Sequence, residues 1–331
     1  MPISTFTRRL SKRLIYKPIV LYLDQSRVSE MIHVTEGDDP TSGGPHRKDY
    51  QALSQLLPRL IRAGRVFCPF SMWHAIETIQ FDKNDKIRAG VCRFFDYASQ
   101  GQSFRFSQDV FLAEIRAAIE KRPCISPLGK TLDCFPAGVI GSDVRRSFKS
   151  EERPFSTIVE LLRTDSALRE NIFRTKTGLL TDIGNEVVRY HGHFGEKAPP
   201  PLSVVKHEQG QNAILRYLKD LVEQGVNRES TEGATVRLME CIDRDTWNEA
   251  GLRCLGAWID VIATRIHRGG VPDVNPKHQG DAFDLGHMAS LGATDIFLME
   301  KKYSSIGSRA AHIMGAQLIH TPADLLKALP K

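Results

Sequence analysis

Cysteine is sparse in this chain, and the six thiols at positions 68, 92, 124, 134, 241 and 254 form no CxxC pair. That spacing excludes a disulfide scaffold and argues for reduced thiols in a cytoplasmic compartment. No apolar run approaches the ~20 residues needed to span a bilayer, so no membrane partner is expected. No GxxxxGK[ST] loop is present, which argues against ATP hydrolysis. Ser71 and His74 lack a third partner and an elbow motif, so no nucleophilic triad is read there. His191-Gly192-His193 has no cysteine pair near it and reads as ordinary histidines rather than a zinc site. Acids are missing from the first 23 residues, which carry Arg8, Arg9, Lys12, Arg13 and Lys17. Residues 1–14 therefore read as a basic arm, with an organelle transit segment as the alternative. A secretory signal does not fit, because the apolar run 18–23 is short and stops at Asp24.

What is present is ordinary in bulk. The 331 residues are 41% hydrophobic and 25% charged, enough for one large domain or two smaller ones. A net charge of +6 with pI near 9.0 favours polyanionic partners. The informative feature is the placing of acids at the ends of apolar runs. Pro18–Leu23 ends on Asp24, and Val66–Phe70 leads into a segment carrying Glu77. Far downstream, Gly280–His287 contains Asp281 and Asp284, and Thr294–Glu300 carries Asp295 and Glu300. In a parallel α/β sheet the strand C-termini form the ligand crevice. Carboxylates gathered there repel one another unless a cation lies between them.

The periodicity predicts a strand over Leu14–Leu23, a helix over Gln25–Val34, a helix over Lys48–Ala63 despite Pro58, and a strand over Arg65–Phe70. From about 82 to 274 the pattern is almost wholly helical, clearest in Ser107–Lys121, Gln211–Gln224 and Thr246–His267. The α/β pattern then returns. A helix is expected over Asp281–Leu291, a strand over Asp295–Glu300, a helix over Ser304–Met314 and a strand over Ala316–His320. Thr321-Pro322 opens a last helix. The expected architecture is α/β: a domain with a central parallel sheet, its halves at 15–81 and 275–331, split by an all-helical insertion at 82–274.

Four pieces resemble a PIN-domain nuclease. Ile19–Asp24 is similar to the family's opening strand and first acid, and Pro69–Glu77 to its second strand and acidic helix. Phe283–Ala289 followed by Asp295–Glu300 resembles the third-acid helix and the strand after it, and Ala316–Leu326 the closing strand and helix. The resemblance covers only the two flanks and implies a PIN-like three-layer fold. It departs at Met299-Glu300, where the family usually has a Thr or Ser followed by Asp.

The resemblance implies an Mg²⁺- or Mn²⁺-dependent endoribonuclease leaving a 5′-phosphate and a 3′-hydroxyl. Such hard ions suit carboxylate oxygens. The expected site is Asp24, Glu77 and Asp284, with Asp281 as competitor for the third acid and Glu300 in support. Asp24 is alternatively a helix N-cap, which Asp does well. Asp295 is included although it precedes its strand, where a turn role is equally plausible. His287 reads as a core or supporting histidine rather than a ligand. Lys301 and Lys302 follow the site and are candidates for phosphate contacts on RNA. The insertion could shape substrate access or bind a protein inhibitor or partner, as toxin-type relatives often need. Two other readings stay open: a decayed PIN-like scaffold and a DNA-directed nuclease. A toxin, a defence protein and a processing enzyme are not distinguished.

Overall fold

The computed structural model describes residues 17–37, 41–79, 85–135, 153–194, 199–269 and 285–330. The chain is mixed α/β around a four-stranded sheet in which every neighbouring pair is parallel. Its strands are β1 (Ile19–Leu23), β2 (Val66–Phe67), β5 (Ile296–Leu298) and β6 (Gln317–Ile319), in the order β2-β1-β5-β6. A separate antiparallel pair is formed by β3 (Gln102–Phe104) and β4 (Leu128–Lys130), so the segment expected to be all helical holds a small hairpin-like pairing. The register sets Leu21 against Ile296 and Leu23 against Leu298. Both flanks of the chain therefore contribute to one sheet.

The helices are α1 (Gln25–Glu36), α2 (Arg47–Arg62), α3 (Met72–Ile79), α4 (Asp85–Ala98), α5 (Ser107–Glu120), α6 (Pro154–Thr164), α7 (Ser166–Phe194), α8 (Leu202–Glu223), α9 (Arg228–Arg244), α10 (Arg253–Arg268), α11 (Ser304–Met314) and α12 (Pro322–Ala328). Residues 285–288 are also helical and continue as a 3₁₀ turn over Ala289–Ala293. Strand alternation sends successive side chains to opposite faces. Leu21 and Leu23 join a core with α1–α4, α6 and α12, whereas Val20, Tyr22 and Phe297 join one with α5, α7–α11. The middle of the chain thus covers both faces of the sheet made by its ends.

One close contact ties the middle to the C-terminal flank, and a second holds the middle itself together. Gly292 lies so close to α10 that an added Cβ would come within 2.6 Å of the Arg253 backbone carbonyl and of Cys254 Cα. Backbone cannot swing aside as a side chain can, so Gly292→Ala should destabilise the protein by about 1–3 kcal/mol, the usual cost of overpacking. Chemical denaturation measures this, and an unchanged midpoint would contradict the packing.

The second contact is Glu114 on α5. Its buried carboxylate accepts the Cys254 and Leu255 N–H groups at 2.9 Å each, capping α10 from another helix. Burial pushes its carboxyl up to about 7, against the pull of those two N–H groups. Its native pKa lies above the unfolded value of about 4.3. Its contribution to stability is therefore full below about 4.3 and is lost as pH rises through about 7. Glu114→Gln should flatten the decline of the melting temperature between pH 5 and pH 8. A pH profile identical to wild type would refute this.

Candidate metal centre

The apolar strand β1 ends at Leu23, and Asp24 follows at the junction with α1. The Asp24 N–H donates to Leu298 O at 2.9 Å, which fixes this residue at the C-terminal end of both β1 and β5. Asp24 occupies the N-cap position of α1, yet its side chain makes no capping hydrogen bond; Oδ2 accepts instead from Ser26 Oγ at 3.0 Å. The cap alternative therefore fails. Asp24 is 4% exposed. Burial pushes its carboxyl up; His287 and Ser26 oppose the shift, and Glu77 and Glu300 add to it. Among the described residues no lysine or arginine forms an ion pair with it.

Glu77 lies on α3, two turns into the helix, with its side chain 19% exposed. His287, on the short helix at residues 285–288, is 1% exposed, and its Nε2 lies 3.0 Å from Glu77 Oε2. One donor atom from each of Asp24, Glu77 and His287 lies within 4.8 Å of the others. This buried group could hold a metal ion.

A hydrogen-bonded chain runs behind it. The Tyr22 hydroxyl bonds Ser71 Oγ at 2.8 Å and, on its other side, His287 Nδ1. Burial raises the Tyr22 pKa well above its ordinary value, so the phenol keeps its proton. A carboxylate only accepts, so the network assigns the His287 Nε2 proton to Glu77 and leaves Nδ1 to accept from Tyr22. His74 is fixed the same way. Its Nδ1 accepts the Ser71 N–H at 2.9 Å, so Nε2 donates to Leu23 O at 2.8 Å. Burial, with His287 nearby, pushes the His74 pKa well down, and it stays neutral while holding the carbonyl just before Asp24. Ser71 and His74 thus have a positioning role, not a nucleophilic one.

The expected site residues divide into four groups. Asp24 and Glu77 come together as expected. Asp281 and Asp284 lie outside the described residues. Asp295 is corrected: it sits at the N-terminal end of β5, where its Oδ2 accepts the Val20 N–H at 2.8 Å and Oδ1 lies 3.8 Å from Lys17. In a parallel sheet that is the end opposite to Asp24. Glu300 lies two residues past β5 on the right rim, close enough to act on Asp24, but Lys302 Nζ is 3.2 Å from its carboxylate. Lys301 and Lys302 are exposed on that rim, and Lys302 also lies over the Tyr303 ring.

No family model, no curated protein and no solved structure is significantly similar to this chain. The functional reading therefore rests on the site alone. His287 is the member that sequence reasoning set aside. The available signal was its place three residues after Asp284, since acid-x-x-His puts both side chains on one helix face. The partners that decide its role, Tyr22 and Glu77, lie 265 and 210 residues away.

Proposed function

We propose that this protein is a metal-dependent phosphodiesterase, an endoribonuclease of PIN-like type. The observation that carries the proposal is the convergence of Asp24, Glu77 and His287 at the C-terminal end of a parallel sheet. The donor set fits a divalent cation: two carboxylates and an imidazole, with Asp24 in a setting whose burial a cation would offset. Asp24, Glu77 and His287 would hold the ion. Carboxylates suit Mg²⁺ and Mn²⁺, and the imidazole tilts the preference toward Mn²⁺. Bound there, such an ion supplies Lewis acidity toward a phosphoryl oxygen.

The chain's own groups do the rest. Tyr22, held by Ser71, orients the His287 ring; with an ion bound, Nε2 beside Glu77 would be deprotonated to ligate it, and Nδ1–H would then donate to the Tyr22 oxygen. His74 fixes the Leu23 carbonyl and so the direction in which Asp24 leaves β1. The apolar packing around Tyr22, stacked on Phe297 with ring centroids 4.6 Å apart, keeps water from the rear of the cluster. Lys301 and Lys302 on the rim are placed to meet a phosphate backbone. The overall positive charge is compatible with an RNA substrate.

A fluorogenic single-stranded RNA incubated with Mn²⁺ tests the reading, with Asp24→Asn alongside and single-stranded DNA as a parallel substrate. Cleavage of RNA that depends on Asp24 supports it; equal rates in the two proteins rule out this site. Faster cleavage of DNA would reassign the substrate. A second reading, a metal-binding scaffold without turnover, is favoured by one observation: the Glu300 carboxylate is engaged by Lys302. Metal binding without cleavage of either nucleic acid would select it.

A further inference from the structure

Next to the acidic cluster lies a cavity of about 390 Å³ formed between α5, α7, α8 and α10. Its apolar wall is aromatic: Trp73, Phe106, Phe111, Tyr217 and Trp258. Phe111 and Trp258 lie within 28° of parallel with centroids 6.3 Å apart, and Tyr217 meets Phe111 edge-on, so the rings form one continuous surface. Polar groups also line the cavity, among them Gln209, Asn212, Asp182 and Glu186, with Arg216 exposed. An aromatic surface in a cavity also lined by amides, carboxylates and one guanidinium matches a planar heterocycle with donors and acceptors on its edge.

The cavity and the acidic cluster share two backbone segments. Trp73 and Glu77 are four residues apart on α3, so their side chains lie on the same helix face. Gly286, which also lines the cavity, immediately precedes His287. A Cβ at Gly286 would come within 2.3 Å of the Trp73 ring, so the glycine lets that ring form the common wall. A strand held at Asp24, Glu77 and His287 would therefore lie beside an aromatic chamber with which the cluster shares the Trp73 and Gly286 wall.

We propose that this cavity receives one nucleobase of the single-stranded RNA substrate, so that base stacking in the helical layer sets the phosphodiester at the acidic cluster. The proposal deepens the phosphodiesterase reading and rests on it. Stacking on aromatic side chains tolerates any base, so the cavity positions the strand more than it reads sequence.

The test uses the full chain in EDTA, where cleavage does not interfere, and a short single-stranded oligouridylate with or without one abasic position. Two of the three tryptophans, Trp73 and Trp258, line the cavity, while Trp247 is fully buried elsewhere, so intrinsic fluorescence reports on occupancy. Quenching by the intact oligonucleotide is expected. Trp258→Ala should weaken its binding about tenfold, as expected for loss of one stacking surface. Ala213→Phe, which fills the cavity, should do the same, and in both variants the abasic and intact strands should bind alike. Circular dichroism establishes that each variant is folded, and Ala213→Phe carries the test if Trp258→Ala is not. Wild-type affinity in a folded variant overturns the proposal, as does a wild-type protein that binds intact and abasic strands equally. The two readings fail separately. Asp24-dependent cleavage with unchanged binding in the cavity variants removes only the base chamber. Asp24-independent cleavage beside a clear Trp258 effect removes only the metal centre.

Discussion

Asp24→Asn should abolish Mn²⁺-dependent RNA cleavage and yet, in EDTA, raise the melting temperature. Both effects come from the same carboxylate. Asp24 is buried, has Glu77 and Glu300 close enough to act on it, and spends no oxygen on capping α1. Without a cation its charge is a cost that burial imposes on the folded state. Asparagine keeps the shape and an acceptor for Ser26 but removes the charge. Relief of about 1 kcal/mol would raise the midpoint by about 1–2 °C in a chain of 331 residues. The same change deletes an anionic ligand, and a rate loss of at least about a hundredfold is expected. The pH dependence has a defined sign. Asp24's native pKa is raised, so its contribution is present below the unfolded pKa and is lost as pH rises through the folded one. The advantage of the Asn variant should therefore grow as pH rises from below the unfolded pKa of about 3.9 through the raised folded one. An Asn variant that melts below wild type in EDTA, or cleaves at the wild-type rate, would contradict the account.

The second large effect concerns His287. Saturating Mn²⁺ should stabilise the wild-type protein by mass action, about 2.7 kcal/mol at a hundred times the dissociation constant, or roughly 4 °C. His287→Ala should remove most of that shift, since it deletes one of the three convergent donors. Tyr22→Phe separates the donor from its support. It leaves the stacking on Phe297 in place and removes only the hydroxyl that bonds Nδ1. Support of this kind is typically worth about 10–100-fold in metal affinity. Tyr22→Phe should therefore need about tenfold more Mn²⁺ for half the shift while reaching the full shift at saturation. Scanning calorimetry across an Mn²⁺ titration gives all three curves. An undiminished shift in His287→Ala would remove the histidine from the centre and leave two carboxylates alone.

Much of this frame is legible in the chain itself, for identifiable reasons. Ile19–Leu23 and Ile296–Leu298 are short apolar runs because a parallel strand covered on both faces has no polar side. Ser304–Met314 is bounded correctly because Gly315, at φ 71°, ends it in a left-handed turn. Thr321 announces the last helix because its hydroxyl accepts the Asp324 N–H. Other features cannot be read from sequence. Helical periodicity over 82–274 reveals an apolar face but not its partner, and α6 and α10 turn out to cover opposite sides of the sheet. The polarity of the sheet separates Asp24 from Asp295, although both acids flank strands that pair with each other. His287 gains its meaning only when Tyr22 and Glu77 close around it.

The strand order carries a consequence for synthesis. β5 pairs with β1, and the bond from Val20 to Asp295 spans 275 residues. At about 5–20 residues per second, a ribosome needs on the order of 15–55 s to deliver that partner. Until then one edge of β1 has no native neighbour, and an exposed edge invites pairing with other nascent chains. Productive folding of this protein in the cell thus depends on keeping that edge shielded until β5 emerges.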